Sequence, residues 1–206
     1  MANVREVAEI IAEKLGAPLG TVRHVARRLG EASLLGPRNA RGRAAPDLNW
    51  EFTAYLIVGV MAVADGLGEG TVQVGKIAQR VATLAKGTTG KADIYRDNKT
   101  GEVIVEYGSI IDAISHLLKI NPTLVNEKNG SVGLTIDAAG IRAWVENITV
   151  SEDGKPQVSR ITFGASANET PRGLKRDIVL SFSDIAAITS EILARRRGDG
   201  NEQIVA

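Results

Sequence analysis

Apolar residues recur through the first ninety positions at helical spacing. Val4, Val7, Ala8, Ile11, Ala12 and Leu15 follow one another at intervals that predict an amphipathic helix over 3–15, stopped by Gly16. Leu19, Val22, Val25, Ala26 and Leu29 repeat the pattern, and Gly30 loosens its end. The stretch GPRNARGRAAP (36–46) has no period and reads as a Gly/Pro/Arg loop. A third helix is expected over 48–64, with Leu48, Phe52, Tyr55, Leu56, Val60 and Met61, and a fourth from about 71 to 86 after the break DGLGEG.

The texture changes at KGTTGK (86–91), where Gly and Thr interrupt every period. Beyond it DNKTG (97–101) is a turn signal and EVIVEY (102–107) alternates as a strand. Ser109 opens a helix over 109–120, and NEKNG is another turn. Residues 131–150 and 156–164 are rich in Val, Ile and Thr and are joined by SEDGKP, whose Asp-Gly predicts a hairpin. A last strand, DIVLSF (177–182), runs into a helix capped by Ser183 and ended at the ARRR of 194–197, with a frayed tail beyond. The expected class is α+β. Residues 1–90 form a helical domain, and residues 91–206 a separate domain of antiparallel sheet with helices.

Composition narrows the chemistry. The 206 residues are 44% hydrophobic, with 25 Lys+Arg against 24 Asp+Glu, which is globular rather than disordered composition. There is no cysteine, so disulfides, thiolate nucleophiles, Cys-ligated zinc and iron–sulfur clusters are excluded. His24 and His116 are the only imidazoles, too few for a multi-histidine metal site. MANVREVAEI is a charged amphipathic start, and no apolar run nears the about 18 residues of a membrane helix. A cytoplasmic protein with no membrane partner is expected.

Charge is unevenly spread. Residues 1–46 hold eight Lys/Arg (Arg5, Lys14, Arg23, Arg27, Arg28, Arg38, Arg41, Arg43) against Glu6, Glu9, Glu13 and Glu31, a net +4, so the remainder sums to −3. A compact basic end points to a polyanion partner.

The segment AEIIAEKLGAPLGTVRHVAR (8–27) is more specific. Two helices crossing closely need a small residue in the first, a glycine at the turn and apolar wedges in the second; Ala12, Gly16, Val22 and Val25 supply them. With Leu15-Gly16 and Thr21-Val22 at the LG–x4–TV spacing, the segment resembles the helix-turn-helix of bacterial and phage regulators. It departs from that pattern at Pro18 and Gly20, early in the second helix. A plain helical hairpin would share the glycine and the apolar period, but it would mix acids among the bases of its outer face.

The resemblance implies double-stranded DNA as partner, with the second helix entering the major groove. Gly20, Thr21, Arg23, His24, Arg27 and Arg28 are then the contact residues, with His24 open between a hydrogen bond to a base edge and a place in solvent. Arg23 and Arg27 are placed for bidentate contacts to guanine or for phosphate anchoring. Arg38, Arg41 and Arg43 suit an arm laid along a groove or backbone.

The helix over 48–64 is apolar on all sides and must be buried. Two readings compete, the core of the N-terminal domain and a shared subunit interface; a domain of about 85 residues offers little interior, so the interface is favoured, and with it a homodimer or higher oligomer. Signals for catalysis are weak. GLGEG (66–70) lacks the order of a phosphate cradle, His116 sits at a helix boundary, and Asp93, Asp97, Glu102 and Glu106 form no organised pair. No catalytic residue, cofactor or metal is expected. The function expected is sequence-specific DNA binding by a transcriptional regulator. The alternative is a phage DNA-packaging component resembling a small terminase subunit, which a many-membered ring would distinguish.

Overall fold

A computed structural model of the chain describes residues 3–35, 49–64, 74–84, 107–126, 129–137, 140–150, 156–164 and 176–201. The fold is α+β: helices lead, a four-stranded antiparallel sheet follows, and a helix closes the chain. The strand expected over 102–107 lies outside the described residues except for Tyr107, which is buried and belongs to no strand. The turns at 97–101 and 151–155, the glycine-rich 66–70 and the four acidic residues between 93 and 106 lie outside them as well.

Helix α1 (Val4–Lys14) begins at a reciprocal cap. The Asn3 side chain accepts the N–H groups of Arg5 and Glu6, and the Glu6 carboxylate accepts the N–H of Asn3 at 2.8 Å. It buries Val7, Ala8, Ile10, Ile11 and Ala12. Ile10 stands off the stripe read from the sequence and is fully buried; α1 packs on α7 (Phe182–Asn201) as well as on α2 (Leu19–Glu31).

Helix α3 (Trp50–Ala64) is the centre of the molecule. Ala54, Leu56, Ile57, Val58, Val60, Met61 and Ala62 are all buried. The helix packs on α1, α2, α4 (Val74–Ala82), α5 (Ile110–Lys119) and the sheet. The subunit interface expected for it is therefore corrected: its apolar circumference is covered within one chain. Beside α1, α2 and α4, α5 and strand β4 (Arg176–Ser181) close on it. Each large aliphatic side chain so buried contributes about 1.5–3 kcal/mol. The boundary expected at 86–91 lies outside the described residues, and the buried side chains on its two sides form one contiguous core.

Ser109 caps α5 as expected, its Oγ accepting the Asp112 N–H at 3.2 Å. The short α6 (Pro122–Asn126) leads to the sheet. The stretch 131–150 divides into two strands, β1 (Asn129–Asp137) and β2 (Gly140–Val150), followed by β3 (Pro156–Phe163). The order is β3-β2-β1-β4, antiparallel throughout. Register places Val132, Leu134, Ala143, Val145, Ile161, Phe163, Ile178 and Leu180 on the helix-covered face. The opposite face carries Trp144, laid over Gly133, where a Cβ would collide with the indole. Arg160 stacks 4.5 Å above the ring and donates to Glu146 at 2.7 Å.

The last helix starts earlier than expected. Ser181, not Ser183, is its cap: Ser181 Oγ accepts the Asp184 N–H at 3.1 Å and Asp184 Oδ2 accepts the Ser181 N–H at 3.2 Å. The reason is Phe182, which follows Ile178 and Leu180 into the core and lies against Gly130. Helix α7 buries Ile185, Ile188, Thr189 and Ile192, and runs past 194–197 to Asn201.

Candidate nucleic-acid interface

The geometry starts at the turn between α1 and α2. Gly16 has φ +62°, the left-handed conformation that a side chain resists. Around it the Ala17 N–H bonds to the Ala12 carbonyl at 3.0 Å and the Gly16 N–H to Glu13 at 3.4 Å, the paired bonds of a Schellman motif. Leu15 and Ala17 also wall a cleft of about 300 Å³, together with Val60 and Met61 of α3 and Ile178 and Leu180 of β4.

Helix α2 then crosses back over α1, held by one face only. Val22, Val25 and Leu29 are fully buried and Ala26 nearly so. Its crossing with α3 is made close by Gly59, where a Cβ would stand 2.9 Å from Val25 Cγ1 and 3.1 Å from Leu29 Cδ1. The C-terminus of α2 meets α4 at Gly75, where a Cβ would lie 2.9 Å from Ala32 Cβ. Ser33, at φ 60°, closes a second Schellman turn, with the Leu34 N–H on the Leu29 carbonyl at 3.0 Å.

The residues expected to touch DNA divide by position. Gly20, Arg23 and Arg27 are exposed, and Thr21, His24 and Arg28 half-buried on the flanks. His24 Nδ1 accepts from Arg27 Nη2 at 3.5 Å, while Nε2 is turned inward, buried and without a partner among the described residues. Arg38, Arg41 and Arg43 lie outside the described residues. The face is not purely basic. Arg23 Nη2 donates to Glu9 Oε1 at 2.9 Å, Arg28 Nη1 donates to Glu31 at 2.9 Å, and Arg27 lies 3.9 Å from Glu31. Arg5, Arg23, Arg27 and Arg28 against Glu9 and Glu31 leave a net +2.

Two features of the N-terminus of α2 were not apparent from periodicity. Pro18 offers no side-chain cap, and among the described residues no side chain accepts from the first N–H groups of α2. At Gly20 a Cβ would meet nothing within 4 Å, so no packing demand places glycine there.

No family model, curated protein or solved structure matches this chain.

The Tyr107 hydroxyl and His116 Nδ1 are 2.7 Å apart, joining the start of the α5 segment to its last turn. Burial pushes the Tyr55 phenol above its ordinary pKa, with the carboxylates of Glu51 and Asp112 adding to the shift. Among the described residues no three metal-ligating side chains converge, and no helix is long and apolar enough to cross a membrane.

Glu9, Arg5 and Arg195 are the neighbours of this face that sequence reasoning missed. Glu9 reads as one acid among four in the first forty-six residues, and only the α1–α2 crossing brings it to Arg23, fourteen positions away.

Proposed function

We propose that this protein binds double-stranded DNA and reads sequence through α2, as a transcriptional regulator acting as a homodimer. The observation that carries the reading is the division of α2 into two faces. Val22, Val25 and Leu29 fasten it to the core, while Gly20, Arg23 and Arg27 stand out to solvent beside an uncapped N-terminus. A helix fastened along one stripe, with Arg23 and Arg27 exposed beside Glu9 and Glu31 on a face of net +2, can enter the major groove, and the N–H groups at its start favour an anion. The chain acts here by binding rather than catalysis, with Arg23 and Arg27 as base or phosphate contacts. A two-fold pair of α2 helices would read half-sites about one helical turn apart.

The test is selection of duplexes from a random library by the intact chain, with light scattering of the complex. Enrichment of a two-fold symmetric sequence by a dimer is expected, lost in Arg23→Ala/Arg27→Ala while the thermal midpoint holds. Unfolding of that variant would make the face structural, and a ring of many copies would favour DNA packaging instead.

A further inference from the structure

Glu9 stands on the outer face of α1 with three arginines around its carboxylate. Oε1 accepts from Arg23 Nη2 at 2.9 Å and from Arg5 Nε at 3.3 Å, and Oε2 lies 3.8 Å from Arg195 Nη1. The arginines come from α2, α1 and α7, so the arrangement exists only in the folded chain. Arg195 has Glu191 as a second acceptor at 3.2 Å, and Glu9 takes Arg23 at Nη2. The Arg23 side chain stays 47% exposed. The Arg23 and Arg5 guanidiniums hold the Glu9 carboxyl below the usual carboxylate range, so it is charged throughout neutral pH.

An untethered arginine on a groove-facing helix has many rotamers and a phosphate within reach of most of them. Phosphate contacts raise affinity for every sequence alike and carry no information, whereas base contacts need the guanidinium fork at a defined angle. A carboxylate gripping one nitrogen removes rotamers before binding and repels a phosphate from the same spot. We infer that Glu9 is a positioning residue for Arg23: it fixes the angle at which the exposed guanidinium is presented to a base and sharpens selectivity at the expense of overall affinity. This rests on α2 being the reading helix. An ordinary exposed ion pair would instead affect stability by about 0–1 kcal/mol and leave selectivity alone.

The experiment uses the intact chain and two duplex probes of equal length, one enriched by selection and one of random sequence. Dissociation constants are measured at two salt concentrations for the parent, Glu9→Gln, Glu9→Asp, Arg23→Ala and the Glu9→Gln/Arg23→Ala double variant. Glu9→Gln should bind the random duplex more tightly and lose about tenfold in the ratio of the two affinities, within the range of one bidentate base contact. Glu9→Asp should recover part of the ratio, and Glu9→Gln should have no effect on it once Arg23 is alanine. Glu9→Ser serves as the same test should glutamine at this position impair folding. A ratio unchanged in Glu9→Gln, while Arg23→Ala loses it, overturns the inference and leaves DNA reading by α2 standing. Binding indifferent to Arg23→Ala overturns both.

Discussion

Gly59 of α3 faces Val25 of α2 so closely that a Cβ on the glycine would stand 2.9 Å from the valine Cγ1. Leu29 Cδ1 and Val74 Cγ1 close the other sides at 3.1 and 3.3 Å. The basic helix is thus seated on a notch in the central helix, and the depth of that notch sets how far α2 stands out. Gly59→Ala is expected to destabilise the fold by about 1–3 kcal/mol, the cost of an added methylene in a closed core. Urea unfolding followed by circular dichroism measures it; an unchanged midpoint would mean that α2 shifts freely on α3.

The two Schellman turns around α1 and α2 predict substitutions of opposite sign. Gly16 at φ +62° is where a side chain strains the backbone, so Gly16→Ala should cost about 1–2 kcal/mol. Ser33 at φ 60° already bears such strain, and Ser33→Gly should relieve part of it. Thermal melts of the two variants should move in opposite directions from the parent.

Gly20 separates stability from function. Its position is helical with open space around it, so Gly20→Ala should stabilise the chain by about 0.5–1 kcal/mol. If a phosphate or base edge approaches the N-terminus of α2 there, the same methyl should weaken DNA binding. A melt and a titration with the selected duplex read the two effects independently; tighter folding with undiminished binding would place the DNA elsewhere on α2.

Acid and alkaline unfolding have separate sources. The Glu9 pKa is lowered in the folded chain, so its contribution to stability is present above its unfolded value, near 4.3, and is lost as pH falls through the folded value. Glu9→Gln should flatten the acid limb of the stability profile. The Tyr55 pKa is raised, so its contribution is intact below about pH 10 and is lost as pH rises through the folded value. Tyr55→Phe should flatten the alkaline limb alone.

Packing of α3 on α5 and of α1 on α7 predicts one cooperative transition for the described core. Ile57→Ala and Ile114→Ala, fully buried on α3 and α5, should each lower the same calorimetric peak, by about 2–5 kcal/mol. Two separable peaks, each answering to one variant, would support two domains divided at 86–91.

Local signals carried the elements a long way. The period of Val22, Val25 and Leu29, the glycine at 16 and the cap at Ser109 all act within a few residues, and each stands where the pattern put it. The α+β class followed from the same kind of evidence, because alternation and helical spacing are properties of single segments. Tertiary structure decided what covers what. The all-round apolar character of 50–64 required burial without saying against which surface, and α5 and β4 from the other half of the chain supplied it. The cap of α7 stands at Ser181 rather than Ser183, with Phe182 buried at the first position of the helix. The neighbours of Arg23 lay furthest from view. Glu9 meets Arg23 across a turn and Arg195 across most of the chain, and charges have no period to reveal a partner that only a helix crossing brings near.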